Sequence, residues 1–336
     1  MKNWFSPAFI LAVALLGTGE FVAREFFGRS LSGRFDYGFH PTAGFRENAN
    51  GTVDLLKAGG RPFRPQKFSR APAGNTLRIM VFGHSVPYGY YGSGQGDAPL
   101  EEVYSSIIAR QLRETGIPAE GINMCINGYG PRRVQIVFQQ ALKYQPGIVI
   151  LHVDTWSNDD LNDQRRKEFE GWSPRNWPMK LLIVRRLYEA KNERIFGKWL
   201  PKSITDQSSE SAQLTKSMDQ NPAGNTQQQV DDTIKITAAS VAMARQQGVI
   251  VILIAQASRQ TNAAGQYILG DAGLGDRLKE LTGRGVYLIS MKQLMEEKSS
   301  WEKLFSDHAH LNRAGHELIS SAVVTLIQQE KISAPP

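Results

Sequence analysis

Short apolar runs alternate with amphipathic stretches between residues 77 and 329, and this pattern predicts strands and helices in turn. Each run is rich in Val, Ile and Leu and ends near glycine or a polar residue, which is typical of a buried strand. The predicted strands are 77–82, 121–126, 148–153, 249–255 and 286–290. The predicted helices are 103–114, 132–144, 231–246, 277–281 and 312–329. Strands that alternate with helices in this way predict an α/β fold with a parallel, doubly wound sheet.

The first 27 residues have a different pattern. The stretch 5–23 is apolar apart from Ser6, Thr18 and Glu20, which predicts a membrane anchor or a cleaved export signal. The small residues at 17–19 are only a fair match to a cleavage site, so the anchor is the favoured interpretation. We therefore expect a single-pass N-terminal helix in the membrane.

Two further segments interrupt the regular alternation. Residues 28–75 are rich in Gly, Pro, Arg and Phe and predict an irregular connector with short β pieces. Residues 161–225 contain a basic helical stretch and then a polar tract that cannot bury a core, which predicts an insertion. The expected organisation is thus an N-terminal segment (1–27), a connector (28–75) and an α/β domain (76–332) interrupted by the insertion.

The composition excludes several classes of protein. The formal net charge is +7 over 336 residues, but the basic residues are scattered and form no dense run. This favours a solvated surface and argues against a nucleic-acid partner. The chain has one cysteine, Cys125, so an internal disulfide is impossible.

Candidate chemistry lies at two distant points of the chain. Ser85 directly follows the first predicted strand, and Asp307 and His310 stand three residues apart before the last helix. A serine, a histidine and a carboxylate are the groups that nucleophilic acyl transfer requires. Because the carboxyl ends of parallel strands form the binding edge of such a sheet, we expect these residues to converge there.

Four segments in order resemble the sequence blocks of the SGNH/GDSL hydrolase superfamily. They are 78–85, 122–130, 153–160 and 307–312. The resemblance implies a flavodoxin-like three-layer sandwich around a five-stranded parallel sheet. It also implies a bacterial protein of the membrane-anchored type, in the inner membrane, with its body in the periplasm. The basic residues that flank the N-terminal segment do not assign its orientation.

The resemblance also implies a role for each site residue. Ser85 is the expected nucleophile, His310 the general base and Asp307 the acid that orients it. The backbone N–H groups of Ser85 and Gly128 and the side-chain amide of Asn158 are the expected oxyanion-hole donors. We expect His84, Tyr88 and Asp159 to line or modulate the pocket. The implied activity is that of an esterase or acyltransferase on an acyl ester of a glycan, a lipid or a small molecule.

One position departs from the superfamily pattern. Gly83-His84-Ser85 stands where the superfamily has Gly-Asp-Ser, and a histidine replaces that aspartate's hydrogen bonds only when it is neutral. This departure gives rise to a second hypothesis, in which the chain is a catalytically degraded accessory subunit of a membrane complex. Residues 161–225 would then bind the partner.

Other interpretations of the same residues stay open or are disfavoured. Ser85 and Asp307 are also residue types that cap helices, and 158–159 could form an Asx turn. An α/β-hydrolase would need Gly-x-Ser-x-Gly, but Pro87 occupies the last glycine position. The remaining His and Asp residues match no familiar metal-ligand spacing, so we expect neither a metal nor another cofactor.

Overall fold

The computed structural model describes residues 6–27, 45–55, 57–58, 61–92, 95–155, 181 and 227–333. Its strands are β1 (Phe45–Glu47), β2 (Thr52–Leu55), β3 (Lys57–Ala58), β4 (Arg61–Pro62), β5 (Lys67–Ser69), β6 (Leu77–Phe82), β7 (Ala119–Asn123), β8 (Ile148–Val153), β9 (Ile250–Ala255), β10 (Ser258–Thr261), β11 (Tyr267–Gly270) and β12 (Val286–Ser290). Its α-helices are α1 (Pro7–Phe27), α2 (Ser85–Tyr88), α3 (Tyr104–Glu114), α4 (Pro131–Ala141), α5 (Gln227–Gln246), α6 (Leu274–Lys279), α7 (Met291–Glu296) and α8 (Arg313–Gln329).

A five-stranded parallel sheet forms the centre of the fold. Its strand order is β7-β6-β8-β9-β12, and each neighbouring pair is parallel. Numbered along the chain this order is 2-1-3-4-5, the order found in flavodoxin. The chain runs outward from β6 in both directions, so the crevice at the carboxyl end of β6 is the expected ligand site of such a sheet. The α/β class and the parallel sheet expected from the sequence are confirmed.

Alternate residues of β6 pack into the cores on opposite faces of the sheet. Leu77, Ile79 and Val81 belong to a cluster that includes residues of α3 and α8. Met80 and Phe82 belong to a second cluster with residues of α4 and α5. Because the strand is covered on both faces, apolar side chains occupy every position of β6 except 78, where the buried guanidinium of Arg78 pairs with Glu120 (2.7 Å).

The predicted strand bounds match the structure in most places. Strands β6, β8 and β12 have the predicted limits, and β9 starts one residue later than predicted. Strand β7 ends at Asn123 instead of residue 126. The Asn123 side chain accepts a hydrogen bond from the Cys125 N–H (3.0 Å) and donates one to the Pro87 carbonyl (2.7 Å), which turns the chain out of the sheet.

The segment expected as a connector contains a small antiparallel sheet, β1-β2-β5, and the separate pair β3-β4. Phe45 and Phe68 pack on the ring of Tyr144, with ring centroids 5.5 and 5.3 Å away. The β pieces predicted here therefore cover one core of the main sheet. The hairpin β10-β11 and the helix α7 were not anticipated by the sequence pattern.

The membrane anchor expected at the N-terminus has no support from the structure. Residues 7–27 do form a helix, α1. Yet among the described residues no helix has the length and apolar character needed to span a bilayer. The expected insertion at 161–225 lies outside the described residues apart from position 181, and its proposed role in partner binding remains a prediction.

Candidate active site

Ser85 stands at the start of α2, three residues beyond the end of β6. The turn between them depends on Gly83, because a Cβ at that position would collide with the Pro87 ring and crowd His152. The helix is one turn long and ends at Gly89, whose φ of 91° lies in the left-handed region that glycine adopts without strain. Ser85 is thereby fixed at the carboxyl edge of the sheet.

Asp307 and His310 lie in a tight loop ahead of α8. The Asp307 Oδ1 atom accepts hydrogen bonds from the backbone N–H groups of Ala309 (2.8 Å) and His310 (2.7 Å). The second carboxylate oxygen, Oδ2, lies 2.7 Å from Nδ1 of the His310 ring. The N-cap of α8 is Asn312, whose side chain accepts from the Gly315 N–H. The capping role considered for Asp307 therefore falls to Asn312.

The structure brings Ser85 and His310 into contact across 225 residues of sequence. The Ser85 Oγ atom lies 2.9 Å from His310 Nε2. Because a carboxylate only accepts hydrogen bonds, Asp307 favours the tautomer with the proton on Nδ1, which leaves Nε2 free to accept from the serine. The Tyr90 ring packs edge-on against His310 at 5.0 Å and restricts the imidazole further.

The Asp307 carboxyl is held in its ionised form. Burial acts to raise its pKa, but the hydrogen bond from the His310 side chain, the charge of His310 and the two backbone N–H groups outweigh burial. The result is a pKa lowered to about 2. The carboxylate can therefore stabilise a positive charge on His310 over the whole neutral and mildly acidic range.

His84, the departure from the superfamily pattern, also contacts the serine. Its Nδ1 atom lies 3.2 Å from Ser85 Oγ, and its Nε2 lies 3.3 Å from Asp154 Oδ2. Burial, and to a lesser extent the nearby His310, lowers the pKa of His84 to about 3. The imidazole is thus neutral, the form in which it can accept a hydrogen bond.

An apolar cavity explains much of this desolvation. It lies between the sheet and helices α4 and α5, and His84 and Asp154 form part of its wall. Phe82, Phe138 and Leu151 are among the side chains that line it. The apolar side chains of this wall add to the burial that disfavours a charge on the His84 ring.

The residues expected to form the oxyanion hole are only partly described. Gly128 lies in the loop after β7 with a φ of 77°, and Arg133 donates a hydrogen bond to its carbonyl (2.8 Å). The same loop is tied to the serine segment by the Ile126 N–H, which donates to the Gly83 carbonyl (3.3 Å). Asn158, the other expected donor, and Asp159 lie outside the described residues.

Tyr88, expected to line the pocket, is buried in the fold. Its hydroxyl donates a hydrogen bond to Asp97 (3.2 Å), and the guanidinium of Arg64 lies 5.2 Å from its ring centroid. Burial, followed by the charge of Asp97, raises the pKa of Tyr88. Tyr88 is the last residue of α2, and these contacts hold its side chain beside Arg64 and Asp97.

A buried polar chain supports the loop of His310 and was not found by sequence reasoning. The Tyr104 hydroxyl lies 3.1 Å from Nδ1 of His152, and the other ring nitrogen of His152 bonds Gln256 Oε1. The Gln256 amide donates to the carbonyl of Ala309 (3.1 Å), the residue before His310. The only signal in the sequence was that His152 and Gln256 are polar residues at the ends of apolar strands.

Among the described residues no group of three or more His, Cys, Asp or Glu side chains is arranged to hold a metal ion. Both ring nitrogens of His152 and the Nδ1 atom of His84 are hydrogen-bonded to protein oxygen atoms.

Comparison with known proteins gives only distant structural likenesses. No family model matches the chain, and no curated protein matches it. Solved structures with similar folds include a lipase/acylhydrolase from Enterococcus faecalis (12% identity, 77% of this chain and 98% of that chain, TM-score 0.44). Another is a carbohydrate acetylesterase family member from Sinorhizobium meliloti (11% identity, 75% of this chain and 97% of that chain, TM-score 0.43). A third is a GDSL-like lipase from Bacteroides thetaiotaomicron (12% identity, 76% of this chain and 89% of that chain, TM-score 0.37). With TM-scores below 0.5, these likenesses assign no activity to the chain.

Proposed function

We propose that this protein is a serine-dependent ester hydrolase or acyltransferase that uses Ser85, His310 and Asp307. The observation that carries the proposal is the continuous hydrogen-bonded chain from Asp307 Oδ2 through the His310 ring to Ser85 Oγ, with distances of 2.7 and 2.9 Å. These are hydrogen-bond distances suited to proton transfer from the hydroxyl to the imidazole.

In the proposed acylation step, Ser85 Oγ forms a bond to the carbonyl carbon of an ester while its proton passes to His310 Nε2. The carbonyl π electrons move to the oxygen, and Asp307 stabilises the imidazolium that forms. His310 then gives its proton to the departing alkoxide as the C–O bond breaks. Water or an alcohol releases the acyl group by the reverse sequence, and the nature of this acceptor separates hydrolase from transferase.

The proposed oxyanion donors are the N–H groups of Ser85 and Gly128 and the side chain of Asn158. Ser85 begins a helix, where backbone N–H groups have no partner inside the helix and can face a negative charge. Each donor of this kind is worth about 3 kcal/mol in the transition state.

The proposal is tested by hydrolysis of p-nitrophenyl acetate and butyrate by the full chain. We expect Ser85→Ala to lower kcat/KM by about 10⁴-fold or more. Ser321→Ala is a matched control, because Ser321 is an exposed serine on α8 whose hydroxyl bonds only its own helix, at the Glu317 carbonyl. Equal rates for the wild type and Ser85→Ala would show that Ser85 is not the nucleophile.

A further inference from the structure

The Ser85 hydroxyl lies between two imidazoles. His310 Nε2 is 2.9 Å from Oγ, and His84 Nδ1 is 3.2 Å from the same atom. A hydroxyl carries one hydrogen, so it donates to only one of these nitrogens at a time. A standard serine triad has one imidazole nitrogen at this distance, whereas here the serine has two.

Each of the two imidazoles also contacts a carboxylate on its far side. His310 Nδ1 is hydrogen-bonded to Asp307, and His84 Nε2 lies 3.3 Å from Asp154 Oδ2, in contact but not aligned as a hydrogen bond. The negative charge beside Nε2 favours a proton on that nitrogen. The lone pair of His84 is then on Nδ1, which faces Ser85.

The charges around His84 determine how strong a base it is. The titratable groups near it are His310, Asp154 and His152, whose ring centroid is 5.8 Å away and whose pKa burial lowers to about 3. His84 is itself desolvated and repelled by a charged His310. It is therefore a weaker base than a solvated histidine, and the two imidazoles beside Ser85 disfavour simultaneous protonation.

We propose that His84, positioned by Asp154, is a second general base for Ser85 that acts as an alternative to His310. The proposal rests on the proposed function, since it assumes that Ser85 is the nucleophile. In the alternative step the Oγ–H proton passes to His84 Nδ1 while Oγ bonds the carbonyl carbon and the π electrons move to the carbonyl oxygen.

The two bases differ in what they can do next. His84 lies in the wall of the apolar cavity between the sheet and helices α4 and α5, which His310 does not line, so we expect it not to protonate a leaving group bound beside His310. The leaving group must therefore depart as a stable anion or take its proton from water. Acylation through His84 is consequently expected with p-nitrophenyl esters, whose phenolate leaves unprotonated, and not with alkyl esters.

The test measures acylation of the full chain by p-nitrophenyl acetate in the His310→Ala variant. We expect a rate about 10²-fold above that of Ser85→Ala, at the lower end of what a general base contributes. Ethyl acetate hydrolysis should be lost in the same variant. Because burial is the main cause of the low pKa of His84, the residual rate should not fall between about pH 8 and about pH 5.5.

Two double variants identify the base. His310→Ala with His84→Asn keeps a hydrogen-bond acceptor near Nδ1 but removes the base, and the residual rate should fall to that of Ser85→Ala. His310→Ala with Asp154→Asn should lower it in the same way, because the amide no longer holds the proton on Nε2. Thermal unfolding of each double variant shows whether it is folded. One folded double variant is enough to decide whether His84 is the base.

The outcomes separate the two proposals. If the wild type acylates no faster than Ser85→Ala, the proposed function is wrong and this inference is wrong with it. If the wild type is active but His310→Ala is as slow as Ser85→Ala, or if a folded double variant keeps the residual rate, the inference alone is overturned.

Discussion

Asp307 accepts two hydrogen bonds from His310, one from the ring Nδ1 and one from the backbone N–H, each 2.7 Å long. The carboxylate thus fixes both the position of the histidine backbone and the orientation of its ring. A spacing of three residues makes this possible within a single turn of chain. The same pair of bonds keeps the carboxyl ionised, with a pKa lowered to about 2.

Replacing Asp307 by Asn is therefore expected to damage activity more than stability. The amide would favour the wrong tautomer of His310, and kcat/KM for ethyl acetate, an alkyl ester that the proposed His84 route does not serve, should fall by about 10⁴-fold. Asp232→Asn is a matched control, because Asp232 is a half-exposed carboxylate on α5 whose ion pair with Arg132 is long, at 3.9 Å. A fall of less than about tenfold in Asp307→Asn would contradict the role proposed for this residue.

Gly92 sets the distance between the loop after α2 and the Asp307 carboxylate. Its φ is 98°, and a Cβ at this position would collide with Asp307 Oδ2. We expect Gly92→Ala to displace the carboxylate and lower kcat/KM by about 10²-fold, the usual effect of a misplacement of about 1 Å. Steady-state kinetics with p-nitrophenyl acetate measures this change.

Gly96 provides the control for that experiment. Its φ of 74° is also in the left-handed region, but a Cβ there would meet nothing within 4 Å. Gly96→Ala should therefore share the backbone strain of about 1–2 kcal/mol without changing kcat/KM. If both variants lose activity equally, the strain of the loop and not the contact with Asp307 is responsible.

Gln256 connects the sheet to the loop of His310. Gln256→Met keeps the length of the side chain but leaves His152 and the Ala309 carbonyl without their partner. We expect the free energy of unfolding to fall by about 1–3 kcal/mol and kcat/KM by about tenfold. Chemical denaturation and kinetics measure the two effects, with exposed Gln328→Met on α8 as the control. An unchanged kcat/KM would show that the loop of His310 does not depend on this bond.

Three buried histidines are expected to make the fold sensitive to acid. Burial is the largest cause that lowers the pKa of His84, His152 and His316 from 6.5 to about 3. The unfolded chain therefore binds protons near pH 6.5 that the folded protein does not bind. Their contribution to stability is complete above that pH and is lost as the pH falls from about 6.5 towards about 3.

The free energy of unfolding from urea titrations should accordingly fall by about 4 kcal/mol between about pH 7.5 and about pH 5.5. His316→Phe should reduce this difference by about one third. His316 is fully buried, and neither of its ring nitrogens has a hydrogen-bond partner, so phenylalanine can replace it without unpairing another group in the described part of the chain. A pH dependence that His316→Phe leaves unchanged would show that His316 is not neutral in the folded protein.

Local patterns in the sequence were enough to find most of the central sheet. Strands β6 and β8 have every residue buried, so their runs, which are apolar except for Arg78 and His152, mark both their position and their length. Strand β7 was misplaced because the bonds that end it come from Pro87 and from the Asn123 side chain, which no apolar pattern reports. The candidate residues Ser85, Asp307 and His310 were recognisable because their types and order suit acyl chemistry.

The tertiary structure alone decided which of these residues meet and in what protonation state. The contacts of Ser85 with His310 and of His84 with Asp154 span 225 and 70 positions and exist because parallel strands place their carboxyl ends at one edge of the sheet. The neutrality of His84 follows from its burial beside an apolar cavity. The sequence by itself determined the strands and the candidate chemistry, because these depend on side-chain type and short-range spacing. Partners, burial and pKa values depend on how distant segments pack, so only the folded chain determines them.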